Sequence, residues 1–355
     1  KFANIGVIVI DDATKKIESN SLFEIKEDTA KDATVATAAK TIVDRVDKEY
    51  GGVYWSMNYD GTVKDDFKHS YCQAFFIYAL SSYYRASGDK NALKLAYEIM
   101  DLVEKYATDD VAYLETMARD WKSELQNDEL SENGLMADKT MNTTLHLMEA
   151  YTELYLADHS PKVLDRLKFQ LDLTYDKIYD KEGHKLLVFF DRNMDVIGDI
   201  HSYGHDIEAT WLIDRACEVI GDPAITAKFA EMNKAIVKNI ADIAYDKASG
   251  SLLNERDKDK INTWRIWWVQ AETVIGFMNA YQKHYGGKEY FEISSSVWKF
   301  IQEHIIDKRP GGEWHSQIDD NWKPADFKPM VDPWKCPYHN GRMCMEMMRR
   351  LAENA

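Results

Sequence analysis

Apolar residues recur at intervals of three and four along most of this chain, the spacing that places them on one face of an α-helix. The stretches with this spacing come in pairs, and turn-forming sequences such as SGDKN and ADHSP separate the two members of a pair. The pattern predicts helices at 71–87 and 91–106, 142–157 and 161–178, 205–220 and 223–244, 267–285 and 290–305, and a last one at 338–355.

A short phrase, Asp-Lys followed by glycine, recurs between the helix pairs. It begins at Asp47, Asp180, Asp246 and Asp307, and a degenerate copy is expected near Asp109. A strand-like stretch follows each copy. Helix pairs joined by hairpins and repeated every 60 to 70 residues or so are typical of an all-α repeat fold. We predict an (α/α)6 barrel with short β-hairpins in the inter-repeat loops, forming a single catalytic domain over residues 1–355. An open solenoid is the alternative architecture.

The amino-terminal segment differs from the rest of the chain. Residues 1–49 contain no Trp and no Tyr, and residues 11–43 are charged and poor in large apolar side chains. A helix in a protein is stabilised mainly by burial of an apolar stripe. We therefore expect residues 9–40 to form an incomplete first helix pair whose side chains pack poorly or leave charges such as Asp12 facing the pocket.

Composition and charge narrow the classes of partner. The formal net charge is −16, which argues against binding to nucleic acid or to an anionic membrane. No apolar run approaches the roughly 20 residues of a membrane span. The four cysteines lie far apart and form no CxxC motif, so we expect reduced thiols in a cytoplasmic protein. We also predict that the protein is a monomer. Ten Trp and twenty Tyr offer ring faces on which sugars can stack, although most are expected in the core.

The first helix of each predicted pair begins with polar or ionisable residues. In a closed barrel these helix starts meet at one mouth, so the side chains are expected to share a central pocket. The residues concerned are Lys68 and His69, Asn142 and His146, His205 and Glu208, Gln270 and Glu272, and His339 and Arg342.

A metal site is disfavoured by the order of these residues. His146-x-x-Glu149 and His205-x-x-Glu208 reverse the Glu-x-x-His order of di-iron bundles, and the chain has neither an HExxH motif nor clustered cysteines. No metal or other cofactor is expected. Glu149 is interpreted as a solvated or capped helix residue.

Two kinds of sugar chemistry remain open from the residues alone. Carboxylates such as Glu208, Glu272 and Asp138 would suit an inverting glycoside hydrolase, which needs a pair about 6.5–9.5 Å apart. Histidines instead dominate the pocket positions. Two imidazoles facing one carbon suit inversion of a C–H centre, because one ring can remove a proton while the other delivers one. In that scheme Glu208 would orient the ring of His205.

Four separated motifs resemble the cellobiose 2-epimerases, which belong to the N-acylglucosamine 2-epimerase superfamily. They read KTMNTTLHLMEAYTELY from Lys139, SYGHDIEATWL from Ser202, WWVQAE from Trp267 and PWKCPYHNGRMCME from Pro333. The resemblance covers roughly residues 50–350 and is closest to the enzymes of ruminal anaerobic bacteria. It implies an (α/α)6 barrel that epimerises the reducing-end glucose of cellobiose to 4-O-β-D-glucosyl-D-mannose without a cofactor.

The resemblance also implies roles for individual residues. His205 and His339 would be the two acid/base catalysts at C2, with a cis-enediolate between the two proton transfers. Glu208 would support His205, and His146 would assist opening and closing of the sugar ring. The expected sugar contacts are Asn142, Trp268, Trp334, Tyr54, Trp314 and Glu272.

One departure from the family pattern stands out. The family carries an early His-Ser-Arg-like stretch whose arginine holds the sugar oxygens or the enediolate, and here Asp12 occupies the position of that arginine. The alternatives that stay open are an N-acylglucosamine 2-epimerase, an aldose–ketose isomerase, an inverting glycoside hydrolase and a sugar-binding protein without turnover.

Overall fold

The computed structural model describes residues 10–11, 16–17 and 45–352, except residues 59, 127, 132–133 and 326. Within these residues the chain forms nine α-helices: α1 (Ser70–Ser87), α2 (Lys90–Tyr106), α3 (Met141–Asp158), α4 (Pro161–Leu173), α5 (Tyr203–Ile220), α6 (Pro223–Ile243), α7 (Trp267–Gln282), α8 (Lys288–Phe300) and α9 (Tyr338–Ala352). The predicted helix pairs and the single last helix are confirmed. The ends of α4 and α8 differ, because π-helical turns at Thr174–Ile178 and Ile301–Ile305 replace the predicted last α-helical turns.

Short strands connect the helices. Those described are β1 (Ile10–Asp11), β2 (Lys16–Ile17), β3 (Ser56–Met57), β4 (Val63–Asp65), β5 (Lys68–His69), β6 (Thr116–Met117), β7 (Lys139–Thr140), β8 (Tyr179–Asp180), β9 (Lys185–Leu186), β10 (Phe189–Phe190), β11 (Ile200–Ser202), β12 (Tyr245–Asp246), β13 (Ser251–Leu252), β14 (Glu255–Asp257), β15 (Lys260–Asn262), β16 (Arg265–Ile266) and β17 (Gln317–Ile318). They pair antiparallel, as β1–β2, β3–β4, β5–β6, β7–β10, β8–β9, β12–β13 and β16–β17, with β11–β14–β15 as a three-stranded sheet. In β5–β6, for example, Lys68 lies opposite Met117.

The chain divides into two compact units. The first comprises Lys1–Ile178 with Val188–Gly198, and the second comprises Tyr179–Leu187 with Asp199–Ala355. In the first unit α1 packs on α3, and α2 and α4 cover them. In the second unit α7 contacts α5, α8 and α9, and α6 covers α5. The first helix of a pair is therefore buried on most sides. The single domain over residues 1–355 stays a prediction.

The amino-terminal segment is described at four residues only. Ile10–Asp11 pairs antiparallel with Lys16–Ile17, so the helix predicted over 9–40 is wrong at these four positions. The rest of that prediction, including Asp12, lies outside the described residues.

A buried basic or imidazole side chain precedes the first helix of each described repeat, and we call these five residues the anchors: Lys68, Lys139, His201, Arg265 and Lys335. Each lies against a carboxylate. The partners are Asp47 for Lys68, Asp109 for Lys139, Asp206 for His201, Asp246 for Arg265 and Glu313 for Lys335. The Lys68 Nζ–Asp47 Oδ2 distance is 2.9 Å and the Lys139 Nζ–Asp109 Oδ2 distance is 2.7 Å.

The repeated Asp-Lys phrase is an Asx turn. The Oδ1 atom of its aspartate accepts the N–H of the residue two positions on, at 3.0 Å in Asp47 and in Asp246. Asp109 Oδ1 accepts the N–H of Val111 at 2.8 Å, which confirms the degenerate copy predicted there. In three repeats the same aspartate thus closes the turn and neutralises the anchor.

In two repeats the residue five positions after the anchor is a glutamine that hydrogen-bonds to the backbone of the hairpin. Gln73 accepts the N–H of Val53 at 2.8 Å and donates to its carbonyl at 2.9 Å. Gln270 makes the same pair of bonds with Leu252, at 3.0 and 2.8 Å. These amides tie the first helix to the strand after the turn. The side chains seven positions after the anchors are Phe75, His146, Glu208, Glu272 and Arg342.

We predict that Asp47→Asn lowers the free energy of unfolding by about 3 kcal/mol, because Lys68 is then buried without its counter-charge. Burial alone would raise the pKa of Asp47, but hydrogen bonds from Arg119 and Lys68 hold it well below its usual range. Removing both charges with Asp47→Asn and Lys68→Met should recover part of the loss. Urea unfolding at pH 7 measures both changes. The matched control is Lys94→Met, which breaks an exposed pair with Glu98; an equal loss in that control would contradict the prediction.

Candidate active site

The start of α5 contains two kinds of polar residue. His201 Nε2 lies 2.7 Å from Asp206 Oδ2, and Asp206 Oδ1 accepts the N–H of Leu186 at 3.0 Å. These two side chains therefore hold the helix start against the hairpin, as the anchors Lys68 and Arg265 do together with Gln73 and Gln270 in their repeats. His205 and Glu208 are the remaining ionisable residues of this turn.

Gly204 allows the starts of α5 and α7 to approach closely. A Cβ atom at this position would lie 2.6 Å from the Trp268 ring and 2.7 Å from Val269 Cγ2, so a side chain cannot fit. The close approach puts the ring of His205 against that of Trp268, with 4.7 Å between centroids.

The ring of His339, at the start of α9, contacts the same tryptophan. Its centroid lies 5.4 Å from Trp268 and 5.4 Å from Trp267, which meets it edge-on. The structure thus brings together, around Trp268, both histidines that the sequence predicts as acid/base catalysts.

A buried charge cluster lies beneath His339. Glu272 Oε1 is 2.7 Å from His339 Nδ1 and 2.7 Å from Arg342 Nη2, while Oε2 accepts the Trp211 indole N–H at 2.9 Å. Arg342 Nη2 also donates to Glu208 Oε1 at 2.6 Å. One guanidinium is therefore shared by two carboxylates that are completely buried.

The cluster keeps Glu272 ionised. Burial alone would raise the pKa of this carboxyl, but the Arg342 charge and the hydrogen bond and charge of His339 together lower it to about 2. A carboxylate can only accept a hydrogen bond, so Nδ1 of His339 carries the proton in this pair.

The donor atoms of Glu208, Glu272 and His339 lie within 4.8 Å of one another, a grouping that could ligate a metal ion. The guanidinium of Arg342 already bonds to both carboxylates from within the same cluster. The chain itself therefore supplies the positive charge that this acidic pair needs.

Ser202 is a site residue that the sequence reasoning missed. Its Oγ lies 2.7 Å from His205 Nδ1, where it can fix the orientation and tautomer of the ring. Glu208, to which that role is assigned above, bonds to Arg342 and lies 3.9 Å from His339 Nδ1. Its support of His205 stays a prediction. The role of Arg342 in the cluster was also missed, although its position three residues after His339 on a helix was a usable signal.

His146 lies in the first unit, on α3. Its Nδ1 is 3.0 Å from Glu149 Oε2, and its ring contacts those of Tyr71 and Phe75 at 5.2 and 5.1 Å. The interpretation of Glu149 as a solvated residue is wrong, because this side chain is buried beside His146. Asn142 is half-buried in the first turn of the same helix.

The remaining predicted sugar contacts have different surroundings. Tyr54 lies under the Lys68 ammonium, 4.5 Å from the ring centroid, and burial and Asp47 raise its pKa. Trp314 is buried in the hairpin that it forms with Ile306. Trp334 is 50% exposed. Glu272 has both oxygens bonded to protein groups, which favours a positioning role over the predicted sugar contact. These four sugar contacts stay predictions.

The N-acylglucosamine 2-epimerase (GlcNAc 2-epimerase) family model matches residues 21–339. The chain belongs to the N-acylglucosamine 2-epimerase family.

Members and solved structures of the N-acylglucosamine 2-epimerase family support this assignment in detail. A cellobiose 2-epimerase of Ruminococcus albus is 57% identical over 305 residues, which are 86% of this chain and 77% of that protein. A sugar epimerase from a ruminal bacterium has a TM-score of 0.86 and 55% identity, covering 89% of this chain and 80% of that one. The cellobiose 2-epimerase of Bacillus thermoamylovorans has a TM-score of 0.84 and 39% identity, covering 89% and 81%.

These similarities confirm the predicted (α/α)6-barrel fold class and the prediction of a carbohydrate epimerase. No helix of the described residues is long and apolar enough to cross a membrane. The cytoplasmic location and the monomeric state stay predictions.

We predict that Arg342→Met lowers the free energy of unfolding at pH 7 by about 3 kcal/mol, because it leaves two buried carboxylates without their shared cation. The pKa of Glu272, about 2 in the folded chain, lies below its usual value of 4.5. The stability that it contributes is thus present above about pH 4.5 and is lost as the pH falls toward 2. In Arg342→Met the free energy of unfolding should fall less between pH 4.5 and pH 3 than it does in the unaltered protein. Urea unfolding at pH 7, 4.5 and 3 would measure this acid limb of the stability curve. The control Lys283→Met, which breaks an exposed pair with Glu218, should keep the same decrease in stability at acid pH as the unaltered protein. An unchanged limb in Arg342→Met would refute the shared-cation account.

Proposed function

We propose that this enzyme epimerises C2 of the reducing-end glucose of cellobiose, giving 4-O-β-D-glucosyl-D-mannose. The substrate is inferred from the relatives, which are named as cellobiose 2-epimerases at 57% and 39% identity. The observation that carries the chemistry is the pair of imidazole rings, His205 and His339, in contact with one tryptophan, Trp268.

The reaction begins with the open-chain sugar, whose aldehyde makes the C2 proton acidic. One imidazole accepts that proton as the C2–H bond breaks, and the electron pair moves toward C1 to give a cis-enediolate. The other imidazolium then delivers a proton to the opposite face of C2. A pair of histidines is suited to both steps because imidazole titrates near neutral pH. Side chains alone perform these transfers.

Each ring has an orienting partner at Nδ1. For His339 it is the ionised Glu272, and for His205 it is Ser202. Both partners bond at Nδ1 and so can fix the tautomer of the ring, which is what an acid/base histidine requires. Glu208 acts with Arg342 to keep the charge beneath His339 constant.

The remaining predicted residues handle the sugar rings. His146, paired with Glu149, assists ring opening and closing. Asn142 contacts the reacting sugar, and the exposed ring of Trp334 stacks on the disaccharide, with Tyr54 and Trp314 as further contacts.

The glycoside hydrolase alternative fits the charge cluster poorly. An inverting hydrolase needs one carboxyl with a raised pKa as the acid and a second carboxylate about 6.5–9.5 Å away. Here the pKa of Glu272 is lowered, and both Glu208 and Glu272 bond to the same nitrogen of Arg342. Asp138, the third candidate, is engaged by Gln126 at 3.4 Å.

The first test is incubation with cellobiose in heavy water. We expect a disaccharide of mannose configuration at the reducing end that carries deuterium at C2, because the proton is delivered from an imidazole that exchanges with solvent. Proton NMR and mass spectrometry of the product measure this. Release of free glucose would support the hydrolase, and full retention of the original hydrogen after one turnover would exclude two separate bases. Parallel incubations with N-acetylglucosamine and mannose test the two alternatives within the family.

A second test compares Ser202→Ala with Glu208→Gln. If Ser202 fixes the His205 ring, its removal should lower kcat about tenfold with little change in KM, because orientation matters most in the transition state. Glu208→Gln keeps the size but removes a charge from Arg342, and should also lower kcat. The matched control is Ser294→Ala, a buried serine that bonds to the Val274 carbonyl. A kcat for Ser202→Ala equal to that of this control would remove Ser202 from the mechanism.

A further inference from the structure

We propose that Glu313 is a positioning residue for the reaction, because it clamps the segment that carries Trp334 and His339. The inference rests on the proposed function, in which His339 exchanges a proton with C2. It concerns a residue that touches neither histidine ring in that scheme.

In other repeats two residues share the task of holding a first helix. At the start of α1, Asp47 bonds to the anchor Lys68, and Gln73 separately bonds to the backbone of Val53. At the start of α7, Asp246 bonds to the anchor Arg265, and Gln270 bonds to the backbone of Leu252.

The repeat that carries His339 is built differently. Its turn aspartate, Asp307, is engaged by Arg309, whose Nε lies 2.8 Å from Asp307 Oδ2. Glu313 binds the anchor in place of Asp307, because its Oε2 accepts a hydrogen bond from Lys335 Nζ. Its Oε1 accepts from Asn340 Nδ2, and Asn340 stands five residues after the anchor, where the repeats of Lys68 and Arg265 have glutamine. One carboxylate therefore does the work of two side chains.

Glu313 is itself held rigidly. Its carbonyl accepts the N–H of Asp307 at 2.8 Å, and two residues on, the N–H of His315 donates to the Ile305 carbonyl at 2.7 Å. The backbone around Glu313 is thus hydrogen-bonded to the opposite strand of its hairpin at residues 313 and 315. Its carboxylate can therefore hold the neighbouring segment in place.

The clamp holds the chain before and after the catalytic ring. Lys335 precedes His339 by four residues and Asn340 follows it directly. The Lys335 ammonium also lies 5.1 Å from the centroid of the Trp267 ring, which meets His339 edge-on, and donates to the Met330 carbonyl at 3.0 Å. Lys335 is almost completely buried, so loss of its counter-charge should displace it. A shift of this segment would move His339 away from Glu272.

The test begins with Glu313→Gln, which keeps the size of the side chain but removes its charge and one acceptor. We expect kcat for cellobiose to fall about 10- to 100-fold, the loss associated with misplacement of a catalytic group by roughly 1 Å, with a much smaller change in KM. Glu313→Asp, one methylene shorter, cannot reach both partners and should behave similarly. The matched control is Asp47→Asn, which breaks the equivalent anchor in a repeat without a predicted acid/base residue. When this variant is assayed at a temperature below the midpoint of its thermal unfolding, its kcat should equal that of the unaltered enzyme.

A readout independent of turnover separates this inference from the proposed function. Diethyl pyrocarbonate modifies accessible imidazoles, and peptide mass spectrometry gives the rate at each histidine. We expect the rate at His339 to change several-fold in Glu313→Gln, with His205 unchanged and neither altered in Asp47→Asn. A fall in kcat with an unchanged rate at His339, or no change in either, would overturn the positioning role. If the unaltered enzyme fails to epimerise cellobiose, the proposed function is wrong, while the modification rates still test the clamp.

Discussion

The buried ion pair between a hairpin carboxylate and the anchor before a first helix, found in four of the five described repeats, is the interaction on which the rest of the structure depends. A buried charge without a partner costs several kcal/mol, so the anchor is tolerated only where the turn, the strand and the helix start are all in place. The Lys68–Asp47 pair shows this most simply, because both side chains are inaccessible to solvent. Such pairs fix the position of each helix start more strictly than apolar contacts, which are not directional.

Within one or two helical turns after the anchor, some positions hold the fold together and others carry the proposed chemistry. The anchor and the residue five positions later bind the hairpin, whereas positions four and seven carry His205 and Glu208 in one repeat and His339 and Arg342 in another. The same scaffold can therefore hold an imidazole, a carboxylate, a guanidinium or, as at Phe75, a simple aromatic ring. In the proposed reaction, the chemistry depends on which side chains occupy these positions.

The sequence predicted the parts of this structure that depend on local patterns. Helix pairs follow from the spacing of apolar residues, and the turn at Asp109 follows from the period of the repeat. The approach of His205 and His339 to one tryptophan, Trp268, could be anticipated from their equivalent positions in the repeat. Partners of side chains could not, because they depend on contacts distant in sequence: Arg342 meets Glu208 across 134 residues. Glu149 was misjudged for another reason: its partner His146 is only three residues away, but the helix pattern does not show that this face of the helix is buried.

The sharing of Arg342 between two carboxylates has a consequence for electroneutrality. Glu208, Glu272 and Arg342 together carry one net negative charge, in surroundings where few water dipoles can screen it. In the proposed reaction, a proton on Nε2 of His339 would cancel that charge, and its transfer to the sugar would expose the charge again. In that reaction the formal charges of the cluster and the ring balance only while His339 holds the proton, so the cluster would favour the return of a proton to the ring after each delivery.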